Sequence, residues 1–262
     1  MIANAIDIHA HIVPSVDDGA RSAVEAYQLL DKAQSQRIGI IVATPHINDH
    51  AADDNITSII QAVKRFCHVA SNDTITILPG AEVMVRPDLV DLICKHPQLM
   101  LNRGQRYVLI ELPLTTLPIY AERALFEVQA RGWVPIIAHP ERYAFVQRDP
   151  NWLWQLLRNG ALGQVTADSI TLPRSHPIRR TAEILVKHSM VHVIASDAHS
   201  LSERPFRLWE AVDIVRRWVG ERDAVAMVTD VPRSILADEP INVEPQRYRR
   251  FWGLLWHSKE IK

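Results

Sequence analysis

Short apolar runs rich in β-branched residues recur along the chain, at 5–9, 38–44, 74–79, 107–112, 134–138, 162–166 and 191–196. They are largely continuous rather than alternating, so each reads as a strand buried on both faces, as in a parallel sheet. The stretches between them carry helical spacing. Ser22 with Glu25 makes a capping box for a helix reaching about Gln36 and stopping near Gly39. Ile56, Ile59, Ile60, Val63 and Phe66 mark the apolar face of a second helix. Further helices are predicted around 86–95, 120–131, 150–158, 176–188 and 206–219. Seven strands alternating with helices, with no long linker, predict one α/β domain.

What ends each strand is the informative feature. The first run closes on His9 and His11, two apart and so on one side of an extended chain. A loop with Asp17 and Asp18 follows. The second run ends in ATPH, giving His46. The third ends in PGAEV, giving Glu82. The fourth, LIELP, carries Glu111 within an apolar run, where an ionised carboxylate needs a partner. The fifth ends in IIAHPER, giving His139 and Arg142, and the seventh in VIASDAH, giving Asp197 and His199. In parallel α/β folds the C-terminal strand ends share one rim, where sites form. This favours a barrel of parallel strands, with an open doubly wound sheet as the alternative.

One histidine on an apolar strand is more often structural than a ligand. Six strand ends carrying such residues together are hard to explain without metal. Clustered carboxylates in a poorly solvated cleft need compensating charge, and divalent cations supply it. The set exceeds the needs of one ion, so two or three ions bridged by a carboxylate are expected. Mixed nitrogen and oxygen donors without cysteine suit manganese, iron or zinc in a working site more than a structural zinc. Asp7 lies deeper in the first strand and is read either as orienting a ligand or as satisfying backbone. His50, His68, His96, His176, His188, His192 and His257 lie off the pattern and are read as surface or helix residues.

Composition narrows the classes. The chain has 262 residues, 47% hydrophobic and 23% charged, with a formal net charge of −1. That gives no overall attraction to nucleic acid or membrane. No apolar run approaches the ~20 residues of a membrane span. The N-terminus shows no basic region before an apolar segment, and the two cysteines, Cys67 and Cys94, have no redox or metal spacing. The cytoplasm is therefore the expected compartment. A cysteine-dependent phosphatase is excluded. It needs arginine six positions after the nucleophile, where this chain has Asp73 and Met100.

DIHAHIVPSVDDG, ATPH, PGAEV, IELP, IAHPERY and VIASDAH, in this order, resemble the polymerase and histidinol phosphatase (PHP) superfamily. More narrowly they resemble its bacterial manganese-dependent protein tyrosine phosphatases of capsule and exopolysaccharide operons. The likeness covers about residues 4–240. It implies a distorted TIM-like (β/α)7 barrel of the PHP type and a centre of three divalent ions, manganese first, with iron or zinc as alternatives. His9, His11, Glu82 and Asp197 would hold one ion. Glu82 would bridge to a second held with Glu111 and His139. Asp18, His46 and His199 would hold the third. Arg142 and Arg204 match the family's phosphate-binding arginines. The implied partner is an autophosphorylating tyrosine kinase with a tyrosine-rich tail that regulates polysaccharide export. The domain is expected over 1–240. The basic, aromatic extension 241–262 does not align with the family. Its end, QRYRRFWGLLWHSKEIK, is read as a helix packed on the domain or on a second subunit, alternatively as a weak membrane-surface or partner-docking segment.

The expected reaction is phosphomonoester hydrolysis by a metal-activated water, with the arginines on the phosphoryl oxygens. Asp17 is a candidate proton donor to the leaving group or a residue that orients a ligand. The rivals are a PHP phosphatase of a small ester such as histidinol phosphate, a PHP nuclease, and an inactive subunit. The nuclease lacks a basic groove, and the complete ligand set counts against an inactive subunit.

Overall fold

The computed structural model describes residues 4–242 and 244–249. In chain order the elements are β1 (Ala5–Ala10), α1 (Ala23–Ser35), β2 (Ile38–Ala43), β3 (His46–Ile47), α2 (Asp53–Ala70), β4 (Thr76–Pro79) and β5 (Glu82–Met84). They continue as α3 (Leu89–Lys95), β6 (Tyr107–Glu111), α4 (Ala121–Ala130), β7 (Val134–Ala138), α5 (Ala144–Arg148), α6 (Asn151–Arg158) and β8 (Leu162–Thr166). Then come α7 (Ala167–Thr171), α8 (Pro177–Lys187), β9 (Val193–Ala195), α9 (Leu208–Val219), α10 (Glu221–Ala226) and α11 (Asp230–Leu236).

All seven predicted strands form, and every strand pair is parallel. They lie in two sheets, β1-β2-β4 and β3-β5-β6-β7-β8-β9. One apolar cluster draws Ile6, Val42, Tyr107, Leu109, Ile136, Leu162 and Val193 from both sheets. The larger one packs the helices around them. Among the described residues the ladder does not run continuously round a barrel. β1 meets the chain after β9 through an isolated bridge, Ala10 to Ala198. Side-chain bonds supplement that seam. Asp7 Oδ1 accepts from Ser196 N–H at 3.1 Å and from His9 N–H at 3.2 Å, so this carboxylate satisfies backbone.

Two strands escaped the hydrophobic pattern. The chain breaks after Ala43 and after Pro79, and resumes in the other sheet as β3 and β5. His46 and Glu82 thus open short strands, and they are register partners. Elements of two or three residues leave no periodicity to detect. Helix α1 is capped as expected, with Ser22 Oγ accepting from Glu25 N–H. It ends through Arg37 at φ 54°, however, and Gly39 lies inside β2. The short helices α5, α7, α10 and α11 were not predicted.

Within the extension, residues 244–249 pack along α6 and α8 without regular secondary structure. Trp154 Nε1 donates to Pro245 O, Gln246 N–H to His188 O, and Tyr248 N–H to Asn151 Oδ1. The expected final helix is not seen over 246–249, and residues 250–262 lie outside the described residues. Among the described residues no helix is long and apolar enough to cross a membrane.

His192 is not the surface residue its position suggested. It is 4% exposed, and Nδ1 accepts from Gly163 N–H at 2.9 Å. Gly163 is required there, because a Cβ would lie 2.3 Å from Met190 O. His96 is also buried, against Asp53. Burial pushes the His192 pKa down to about 4. The unfolded imidazole takes up a proton below about 6.5 while the native one does not. Stability is therefore lost as pH falls from about 6.5 to 4, by up to about 3 kcal/mol from this residue. Asparagine offers an acceptor in the same place and does not titrate. Denaturant unfolding in chelator should show His192→Asn losing less stability than wild type across that window. Parallel losses would refute this account.

Candidate metal centre

The loop after β1 folds back so tightly that a Cβ on Gly19 would sit 2.1 Å from His11 O. That approach brings Asp17 under His11 and Asp18 to the cleft mouth. At the centre lies Glu82, fully buried at the start of β5. Its Oε2 has His9 Nε2 at 3.2 Å, His11 Nε2 at 3.3 Å and His46 Nδ1 at 3.0 Å. Its Oε1 is 3.0 Å from His139 Nε2. Asp197 Oδ1 is 3.5 Å from His9 Nε2 and 3.6 Å from His11 Nε2. His139 and Asp197 both adopt positive φ, 32° and 54°, where the chain leaves β7 and β9. Glu111, at the end of β6, faces His46 at 3.4 Å and His139 at 3.6 Å. His46 and His199 reach Asp18 Oδ1 from their Nε2 atoms at 3.4 and 3.3 Å.

All nine expected ligands are therefore gathered at one end of the strands. Three groups have donor atoms within 4.8 Å of one another: His9, His11 and Glu82; His46, Glu82 and Glu111; and His11, Asp18, His46 and His199. The grouping departs from the expected one. His46 joins Glu82 and Glu111 as well as Asp18, His11 belongs to two of the groups, and His139 and Asp197 stand beside the groups rather than within them.

The donor set fits cations. His9 Nδ1 meets Gln164 Oε1 at 2.8 Å, and His11 Nδ1 donates to Asp17 at 2.7 Å. With those hydrogens on Nδ1, both Nε2 lone pairs point at one space, 3.1 Å apart. Glu82 Oε2 has only imidazole nitrogens around it, and His199 Nε2 is buried without a hydrogen-bond partner. Such a convergence of lone pairs is costly unless a positive charge occupies it. On the open side, Arg142 and Arg204 each place Nη1 on Asp197 Oδ2, at 3.0 and 3.3 Å. Asp18 is 61% exposed there, whereas His9, His11 and Glu82 are at 0%. A cavity of about 390 Å³ opens along Asp17, Asp18, His46 and Glu111.

The family model for capsular polysaccharide synthesis, CpsB/CapC, matches residues 5–237. The chain belongs to the CpsB/CapC family. It is 30% identical over 253 residues to the tyrosine-protein phosphatase YwqE of Bacillus subtilis, covering 95% of this chain and 99% of that one. It is 35% identical over 210 residues to the putative tyrosine-protein phosphatase CapC of Staphylococcus aureus, covering 78% and 80%. A crystal structure from a study of B. subtilis YwqE and Streptococcus pneumoniae CpsB, described as unique metal-dependent tyrosine phosphatases, superposes with a TM-score of 0.81. It is 31% identical, over 94% of this chain and all of that one.

In this CpsB/CapC chain Asp17 does not suit the proton-donor role. Burial acts to raise its pKa, but hydrogen bonds from His11, Gly19 and His46 outweigh that and hold it below the usual carboxylate range. It is an ionised acceptor that fixes the His11 tautomer. Gln164 meets His9 in the corresponding way, a contact the sequence reading missed because a glutamine inside a strand carries no signal of its own.

The imidazoles respond to the same charges. Burial disfavours protonated His9, yet Glu82 and Asp197 push its pKa up to about 9. Burial likewise opposes His11, but Asp17 and Glu82 raise it to about 10. Burial, then the neighbouring His11, pushes His199 down to about 3; the two rings stack with centroids 3.9 Å apart. Protons and cations thus compete for His9 and His11. Binding Mn²⁺ to chelator-treated protein at pH 7 should release on the order of two protons. Affinity should rise with pH until those imidazoles are neutral. Calorimetry in buffers of different ionisation enthalpy measures the release, and buffer-independent heats would sink this reading. Asp17→Asn should weaken metal affinity or kcat by about 10–100-fold with little loss of stability. Unchanged metal titration and turnover would reduce Asp17 to a loop residue.

Proposed function

We propose that this CpsB/CapC protein is a metal-dependent protein-tyrosine phosphatase that hydrolyses phosphotyrosine on a bacterial tyrosine autokinase and so regulates capsule or exopolysaccharide synthesis. One observation carries the reading. Two guanidinium groups stand side by side at the open edge of a buried imidazole–carboxylate cluster. Full-length likeness to tyrosine-protein phosphatases supports it. The two sheets are read as parts of a distorted (β/α)7 barrel. Residues 1–240 are assigned as the phosphatase domain and 241–262 as an extension, working in the cytoplasm. Any membrane contact is assigned to the partner or, weakly, to the extension, which is also where a second subunit would pack.

His9, His11, Glu82 and Asp197, then Glu82, Glu111 and His139, then Asp18, His46 and His199 are assigned as the ligands of three divalent ions, manganese first. When bound, such ions lower the pKa of an attacking water and neutralise charge on the phosphoryl group. Arg142 and Arg204 take the non-bridging oxygens, for which the planar guanidinium fork is suited, and stabilise charge growing in the transition state. Asp197 holds both forks in place. Asp17 and Gln164 fix the rings of His11 and His9. The open mouth at Asp18 admits a tyrosine on a polypeptide, which favours a protein substrate over histidinol phosphate.

Purified protein with Mn²⁺ should release phosphate from a phosphotyrosine peptide, and chelator should stop it. Phosphoserine peptide and histidinol phosphate should be poor substrates. Hydrolysis of histidinol phosphate alone would move the protein into metabolism. His139→Ala and Asp197→Ala should each abolish turnover while leaving the far-ultraviolet circular dichroism unchanged. Activity retained in either would overturn the ligand assignment.

A further inference from the structure

A second cavity lies away from the metal centre, against α8 and α9, with a volume of about 470 Å³. None of its lining residues belongs to the cluster around Glu82. Arg174, Arg179, Lys187 and Arg217 bring four cationic side chains to it, and Glu183 the one carboxylate. Glu183 is already taken by Lys187, at 2.6 Å. Among the described residues no carboxylate lies within ion-pair distance of Arg174, Arg179 or Arg217.

Arg179 is the built part of this site. It is 5% exposed, and its guanidinium lies 4.5 Å from the centre of the Trp218 ring. Nη1 donates to Ile170 O, while Nε is buried without a partner. Burial makes its protonated form less favourable than usual; Glu183 nearby opposes this, and the charges of Arg174 and Arg217 add to it. Arg217 Nε reaches only a backbone carbonyl, Asp213 O, at 3.4 Å. Three guanidinium groups around one cavity repel one another unless an anion joins them. Their planar forks suit phosphate oxygens. Trp218 and Ile214 supply an apolar wall, and the volume falls within the range of small-molecule sites, about 300–1,000 Å³. A bare phosphate would leave that wall unused.

We propose that this cavity binds a nucleoside di- or triphosphate, with its phosphates on Arg174, Arg179 and Arg217 and its base against Trp218. The site is independent of the metal centre, so its occupancy does not require the ions.

Calorimetry on the full chain tests this, with ADP, pyrophosphate and adenosine as probes, in Mn²⁺ and again in chelator. ADP should bind in both conditions, pyrophosphate about tenfold more weakly, and adenosine below detection. Arg174 and Arg217 are exposed, so the double variant Arg174→Glu/Arg217→Glu should fold and keep phosphotyrosine turnover. It should lose ADP affinity by about 30-fold or more. Trp218→Leu should remove the advantage of ADP over pyrophosphate, which tests the pocket even where the charge reversals unfold the chain. ADP binding that vanishes in chelator, or that survives the double variant unchanged, would assign the nucleotide to the metal centre and overturn the proposal. No ADP binding by the wild-type protein at millimolar concentration would overturn it outright.

Discussion

The structure is organised around one buried charge. Glu82 has no exposure to solvent, and four histidines approach its two oxygens. An isolated carboxylate in that position would lose several kcal/mol of solvation. Its cost is offset only if cations, or protons on the surrounding imidazoles, sit with it. The fold supplies those partners from several separate strand ends, and the irregular features of the sheets follow from that task. The breaks after β2 and β4 carry His46 and Glu82 from one sheet into the other, where they become register neighbours. A regular strand through Thr44 and Gly80 would have kept them in the first sheet.

The same demand appears as backbone strain. His139 and Asp197 occupy the left-handed region, at roughly 1–3 kcal/mol each for a residue with a side chain. Neighbouring bonds hold them there. Arg142 N–H donates to His139 O at 2.9 Å, and Asp197 N–H donates to His9 O at 2.9 Å. His11 N–H donates to Ala198 O at 2.8 Å, and Asp7 accepts from Ser196. Asp7 is therefore placed at the seam where regular pairing between β1 and β9 gives out. Burial pushes its pKa up to about 6, so the seam is itself a site of electrostatic compromise. Stability and site geometry are coupled at this seam.

The strands were legible because each lies buried on both faces, and that leaves a continuous apolar run in the sequence. Eight of the nine ligand candidates stood out because polar residues at the ends of such runs have few other reasons to be there; Asp18, on the loop after β1, was singled out by the family resemblance. What stayed hidden depends on contacts distant in sequence. Nothing near His192 announces that Gly163 will present an N–H to it across the β8–β9 connection. Gln164 is chemically silent until β1 brings His9 opposite. The intermediate place of His46 between two groups depends on a kink of the chain, which composition does not encode. The closure of the sheets followed only in part. Alternating strands and helices predict parallel pairing, but not whether every neighbouring pair will keep its ladder.

The state of Asp17 bears on which esters this cleft can cleave. Three donors converge on that carboxylate, so it has no proton to give at neutral pH. Glu111 is pushed upward by its burial and by Glu82 beside it, and bound cations would remove the second cause. Asp17 therefore gives a leaving group in this cleft no proton. The phenolate of tyrosine, with a pKa near ~10, tolerates that. An aliphatic alkoxide, whose basicity approaches that of hydroxide formed from water at ~15.7, does not. Selectivity for aryl over alkyl phosphates then needs no pocket shaped to the tyrosine ring. It follows from fixing the carboxylate at the cleft as an acceptor, and the residue that does so is the one that also sets the tautomer of His11. On this reading, ring orientation at the metal centre and leaving-group preference both depend on the hydrogen bonds that hold Asp17 ionised.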